Sequence, residues 1–253
     1  MNGGLDGAPP KTPPSNSSSD PINAGKQSIE IRNMLLGFLA FTSGYIDALA
    51  LLGLGVFESF MSGNSILLGI GIGRGDILAA TGSAVALIAY IVGVAFGVNI
   101  VNAPSSPQEI WPHGVTRAFV TEFLLLVVFA IGGFFAGTKP SYFVVNILIA
   151  SGAVAMGIQS AAAHDLGLRG IATTYVTGTW TTFASKLAHR HRSSTSESAA
   201  QESKTRLEAW VLVVYILAAG VGGIAEIHWF LKAALIPAMS IGLLVVIARL
   251  RMR

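Results

Sequence analysis

Residues 33–55 read NMLLGFLAFTSGYIDALALLGLG, and the only charged side chain among them is Asp47. An α-helix rises about 1.5 Å per residue, so about 20 apolar residues cross the hydrocarbon of a bilayer. The stretch meets that length and is predicted to be a membrane helix. It starts far from the first residue and has no evident small-residue cleavage site, so it does not read as a signal peptide.

Seven more apolar segments follow, near Val56–Gly73, Ile77–Val101, Ala118–Gly137, Tyr142–Ala163, Ile171–Leu187, Ala209–Ala225 and Trp229–Ile247. Ahead of them, residues 1–30 are rich in Gly, Pro, Ser and Asn. Such a stretch buries too little apolar surface to offset its ordering entropy, and a disordered cytoplasmic leader is expected. The fold class predicted for residues 31–253 is an all-α membrane protein, a helical bundle of 6–8 membrane segments.

Composition agrees. Of 253 residues, 52% are hydrophobic and 11% charged, with a mean hydropathy of +0.64. Soluble domains carry about 25% charged residues. A soluble enzyme and a nucleic-acid module are thereby excluded. The absence of cysteine excludes a disulfide scaffold, a cysteine-ligated metal and a thiol nucleophile.

The second and sixth segments are short and polar. Val56–Gly73 holds Glu58, Ser59, Ser62, Asn64 and Ser65; Ile171–Leu187 holds six threonines and Ser185. Polar groups in hydrocarbon are costly unless they face protein or water. Both segments are expected to line an interior, as hidden helices or as re-entrant ones.

They also expose an internal repeat. Phe60-Met61-Ser62-Gly63-Asn64-Ser65 matches Tyr175-Val176-Thr177-Gly178-Thr179-Trp180. Upstream stand Gly44-Tyr45-Ile46-Asp47-Ala48 and Gly157-Ile158-Gln159-Ser160-Ala161; downstream, Tyr90-Ile91-Val92-Gly93 and Tyr215-Ile216-Leu217-Ala218. Repeat one would cover about 33–137 and repeat two about 142–250, with a cytoplasmic loop at about 188–208.

Basic residues orient the chain. If all eight segments cross, Arg117, Arg169 and Lys232 lie outside, leaving 13 of the 16 Lys and Arg within. If the two short segments are re-entrant, Arg74, Lys139 and Lys232 lie outside, and the split is the same. Both versions put both termini in the cytoplasm. Eight crossings make the halves parallel, and six make them inverted.

The residues that could carry chemistry follow. Asp47 lies well inside its helix, and an intramembrane carboxylate is a functional-site hypothesis by default. Ser43, one turn earlier, would share its face. Ser62, Gly63 and Asn64, with Thr177, Gly178 and Thr179, combine a chain-breaking or close-packing glycine with side chains that replace a hydration shell. Gln159 and Ser160 are their partners in the second half. Helix packing by small residues is the competing reading of these motifs. Among weaker candidates, Glu122 is expected to pair or snorkel towards Arg117. Glu226, His228 and Glu58 are expected at interfaces, and His164-Asp165 in a loop. His189-Arg190-His191-Arg192 reads as a solvated loop or an anionic-lipid contact.

No phosphate-binding loop, zinc-protease motif or nucleophile elbow is present. No catalytic residue, metal or cofactor is expected. The expected partners are the lipid bilayer and an unidentified small solute or ion, with nucleic acid excluded and a homo-oligomer left open.

The four motifs Gly44–Ala48, Phe60–Ser65, Met156–Ala161 and Thr177–Thr179 resemble those of the YoaK-type bacterial membrane proteins, a family of unassigned function. The resemblance spans nearly everything after residue 30. Two departures are mild: the family more often has Thr and Asn where this chain has Ser62 and Ser160. It implies a multi-span bacterial membrane protein and supplies no reaction. The function expected is a transporter or channel for a small solute, not an enzyme. The alternative is a non-transport membrane protein, such as a scaffold, lipid-interacting or sensory factor.

Overall fold

The computed structural model describes residues 21–102, 113–137, 140–166, 176–190 and 199–251. Among the described residues there are eight α-helices and no strand. They are α1 (Pro21–Leu54), α2 (Met61–Arg74), α3 (Ile77–Val101), α4 (His113–Ala136), α5 (Tyr142–Asp165), α6 (Val176–Arg190), α7 (Ala199–Trp229) and α8 (Leu235–Arg251). A 3-10 turn, Phe230–Ala234, joins α7 to α8.

Among the described residues, five stretches are long and apolar enough to cross a membrane: Asn33–Leu54, Ile77–Val101, His113–Ala136, Tyr142–Asp165 and Thr205–Leu250. The last contains both α7 and α8 with the turn between them. At about 1.5 Å per residue, α2 and α6 reach only about 20 Å, short of the roughly 30 Å hydrocarbon core.

Local chemistry sets the breaks. The chain leaves α1 at Gly55 and α2 at Gly75, with φ of 78° and 69°, in the left-handed region that glycine enters without cost. Asp76 and Ser141 cap α3 and α5 by accepting from the backbone N–H groups of Ala79 and Val144.

One boundary expectation needs correcting. The helix containing residues 33–54 starts at Pro21, so residues 21–30 of the polar leader are helical. Residues 1–20 lie outside the described residues, as do 171–175 of the sixth segment and the loop residues 191–198.

Packing is dominated by two parallel helix pairs. Along α1 and α7, Gly37 lies by Trp210, Gly44 by Tyr215 and Gly53 by Glu226. Along α3 and α5, Gly82 lies by Ile149, Gly93 by Val154 and Gly97 by Ile158. Numbers rise together within each pair. The start of α4 meets the end of α3, where Gly114 touches Val101; its end meets Leu148 near the start of α5 and Leu231 of the 3-10 turn. Helices α1, α4 and α7 therefore run one way, and α3, α5 and α8 the other. Large apolar side chains such as Ile91, Phe135, Phe143 and Leu217 stand on the outside, where lipid would meet them.

Candidate functional site

The polar centre is built around the connection between α1 and α2. That connection runs beneath the helices, and its backbone groups must be paired there. Asp47, 3% exposed, does most of this. Its Oδ1 accepts from the backbone N–H groups of Glu58 at 2.8 Å and Ser59 at 2.7 Å. Its Oδ2 accepts from the Ser59 hydroxyl at 2.6 Å and the Tyr215 phenol at 3.1 Å. Asn64 works from the other side: it accepts from the N–H of Phe57 at 2.9 Å and donates to the Phe57 carbonyl at 2.7 Å. Gly63 is buried under the Phe57 and Phe60 rings, where a Cβ would stand under 3.0 Å from ring carbons.

A second set of bonds joins the halves. The Gln159 amide donates to the Ser43 hydroxyl at 2.9 Å, from α5 to α1. The Tyr90 phenol donates to the Ser160 hydroxyl at 2.7 Å, from α3 to α5. Ser43 and Asp47, one turn apart on α1, engage different partners: Ser43 meets Gln159 of α5, and Asp47 meets the α1–α2 connection and Tyr215 of α7. Gln159 Oε1 and Thr42 Oγ1 are buried and unpartnered among the described residues.

Not every expected residue gathers here. Ser62 and Ser65 are exposed on α2, so of the Ser62–Ser65 motif only Gly63 and Asn64 are buried. Gly178 and the buried Thr179 stand on α6, which packs on α7 and is tied to it by Lys186 and Glu208 at 2.7 and 2.8 Å. The side chain of Thr177 lies outside the described residues, as do those of His189 to Arg192.

Three acidic residues are corrected inward. Glu58 is fully buried, its carboxyl against Gly152 of α5, where a Cβ would crowd it. Glu122 is also fully buried and makes no pair with the exposed Arg117. Neither carboxyl has a hydrogen-bond partner among the described residues. Glu226 is 8% exposed and lies by Gly53, while its neighbour His228 is exposed. Asp47 is therefore one of several acids inside the bundle. The sequence signal for Glu58 was a glycine on another segment, and only the fold pairs the two. His164 and Asp165 are exposed at the end of α5, and among the described residues no group of three His, Cys, Asp or Glu could hold a metal.

The arrangement pairs buried backbone through a carboxylate and an amide, and leaves one free carboxyl, Glu58, between the α1–α2 connection and α5. Residues 35–248 match a family described as "Protein of unknown function (DUF1275)". The chain is 32% identical over 222 residues to the UPF0700 transmembrane protein YoaK of Bacillus subtilis (strain 168), covering 87% of this chain and 96% of that protein. No solved structure matches it. The chain is a multi-pass membrane protein and belongs to the DUF1275 family.

Proposed function

We propose that the chain moves a small solute or ion across the bacterial inner membrane, as a transporter or channel formed by two inverted repeats. One observation carries this reading. Tyr215 meets Asp47 across α7 and α1, and Tyr90 meets Ser160 across α3 and α5. These pairs occupy matching places in the two halves of the sequence. The glycines agree: Gly44 abuts the Tyr215 carbonyl and Gly157 the Tyr90 carbonyl. The helices of one half, α1, α3 and α4, run opposite to their counterparts α5, α7 and α8. That is the inverted arrangement in which transporters place their sites at the repeat interface.

Six crossings follow on this reading, with α2 and α6 lying short of a full span. Arg117 of α4 and Arg249 of α8 line one cavity, which supports their sharing a face. Eight crossings would put them on opposite sides. Cysteine labelling tests it in this cysteine-free chain: Arg74→Cys should react with an impermeant maleimide from outside, and Arg169→Cys only after permeabilisation. The reverse pattern would restore the parallel, eight-crossing arrangement.

Asp47, with four donors on it, acts in this reading as the latch of the α1–α2 connection. The Glu58 carboxyl, like that of Glu122, is buried without a partner among the described residues, but it stands beside that latch. Glu58 takes a proton or cation in this reading, since an unpaired buried carboxylate is costly until neutralised. The test is flux in liposomes carrying the purified chain, with imposed proton, Na⁺ and K⁺ gradients. Wild type should dissipate at least one, and Glu58→Gln should lose about tenfold or more of that rate. No dissipation of any gradient would count against ion movement and favour the non-transport alternative, for which deletion of 189–207 should remove activity while Glu58→Gln leaves it.

A further inference from the structure

A second feature lies away from the polar centre, where the end of α3, the start of α4 and the end of α8 meet around a cavity of about 550 Å³. Arg117 and Arg249, 132 positions apart in sequence, both line it, and no acidic residue does. Its other walls include Phe96, Ile100 and Val120, and the Phe96 side chain is 52% exposed. Two polar residues complete the lining, and each spends a donor on its own helix. Asn99 donates to the Ala95 carbonyl at 2.9 Å, and the Thr121 hydroxyl to the Arg117 carbonyl at 2.9 Å. The two guanidiniums are thus the charged donors the cavity offers. Both are exposed, and neither pairs with a carboxylate among the described residues.

We infer that this cavity binds the headgroup of an anionic phospholipid, with an acyl chain lying along Phe96, Ile100 and Val120. The guanidinium fork matches phosphate oxygens two at a time, and a basic pocket between membrane helices is suited to an anionic headgroup. Apolar walls continuous with the lipid-facing surface favour a tethered phosphate over a free one, because a soluble anion gains nothing from them. The inference holds whether or not the chain transports; that the leaflet is the cytoplasmic one rests on the topology proposed above.

The test uses the full chain in detergent, titrated with phosphatidylglycerol or phosphatidylcholine and read by native mass spectrometry. Phosphatidylglycerol should be retained in clear preference. Removing one arginine should weaken it about fivefold, and the Arg117→Ala/Arg249→Ala double variant about 25-fold. The Arg117→Lys/Arg249→Lys variant keeps the charge without the fork and should fall between. Arg74→Ala, at the other end of the bundle, should change nothing. Circular dichroism checks that each variant is folded; if the double alanine variant is not, the lysine pair and the single variants decide. Equal retention of the two lipids, or a folded Arg117→Ala or Arg249→Ala variant that retains phosphatidylglycerol like wild type, overturns the inference. So does displacement of phosphatidylglycerol by inorganic phosphate at equal concentration, which would identify the ligand as a soluble anion.

Discussion

Gly157→Val is expected to destabilise the bundle by about 3 kcal/mol or more, at or beyond the upper end of ordinary overpacking. A Cβ at Gly157 would stand under 3.0 Å from backbone atoms of Tyr90 and Val94, and 3.0 Å from the Gly93 backbone. Backbone cannot rotate away as a side chain does, so α3 and α5 would have to separate along their length. Helix association in lipid lacks a hydrophobic drive between helices and depends on this close contact. Gly44→Val and Gly222→Val should behave alike, since they meet the Tyr215 and Tyr45 backbones in the α1–α7 pair. Gly69→Ala is the control: nothing lies within 4 Å of its Cβ position. Helix propensity favours alanine there by about 1 kcal/mol. Thermal unfolding of the detergent-solubilised chain measures all four. A Gly157→Val protein melting with the wild type would show that the α3–α5 approach is looser than described.

The helices were legible because the apolar runs are long and interrupted by glycine, proline and charge. Ile77–Val101 falls on α3 residue for residue, and Tyr142–Ala163 stops two residues short of the end of α5. The start of α1 was not legible. Residues 21–32 are polar, and a helix that continues past its membrane-buried part leaves no apolar period to read. Helix direction was out of reach for another reason: the basic residues divide equally under six and eight crossings. Where α4 lies relative to α8 rests on tertiary contacts such as Gly133 with Leu231, and no local pattern encodes them.

In the polar centre, residue types were legible and partners were not. Asp47 and Asn64 were marked by being polar in apolar surroundings, and both are buried and engaged. What the sequence could not show of Asp47 is its four donors, two of them backbone amides that carry no side-chain signature. Glu58 was assigned to an interface, and Glu122 to pairing or snorkelling towards Arg117, because each lies near the end of an apolar run. Run position measures depth along one helix only. It says nothing of the neighbours that close over a side chain, as Gly152 of α5 does for Glu58.

Asp47→Ala is expected to cost about 3–5 kcal/mol, the most of any change at the polar centre. It would strand the N–H groups of Glu58 and Ser59, and each buried unsatisfied donor costs about 1–3 kcal/mol. The Ser59 hydroxyl and the Tyr215 phenol would lose an acceptor as well. Removing a single donor is milder, because the carboxylate keeps the other three. Ser59→Ala and Tyr215→Phe should therefore cost about 1 kcal/mol each. Asp47→Asn, which keeps one acceptor oxygen for the amides, should fall between. Asn64→Ala should approach Asp47→Ala, since it strands both polar groups of the Phe57 peptide. Thermal unfolding gives the order, and hydrogen exchange locates it: peptides covering residues 56–60 should exchange faster in Asp47→Ala while those of α8 hold. Unchanged exchange there would mean that the α1–α2 connection is held by packing, and that Asp47 is not its latch. In liposomes the same series separates a latch from a carrier. A latch scales with loop opening, so flux should track the exchange rate across Asn64→Ala, Asp47→Asn and Tyr215→Phe alike. A carrier would lose flux in the Asp47 variants alone, whatever the loop does.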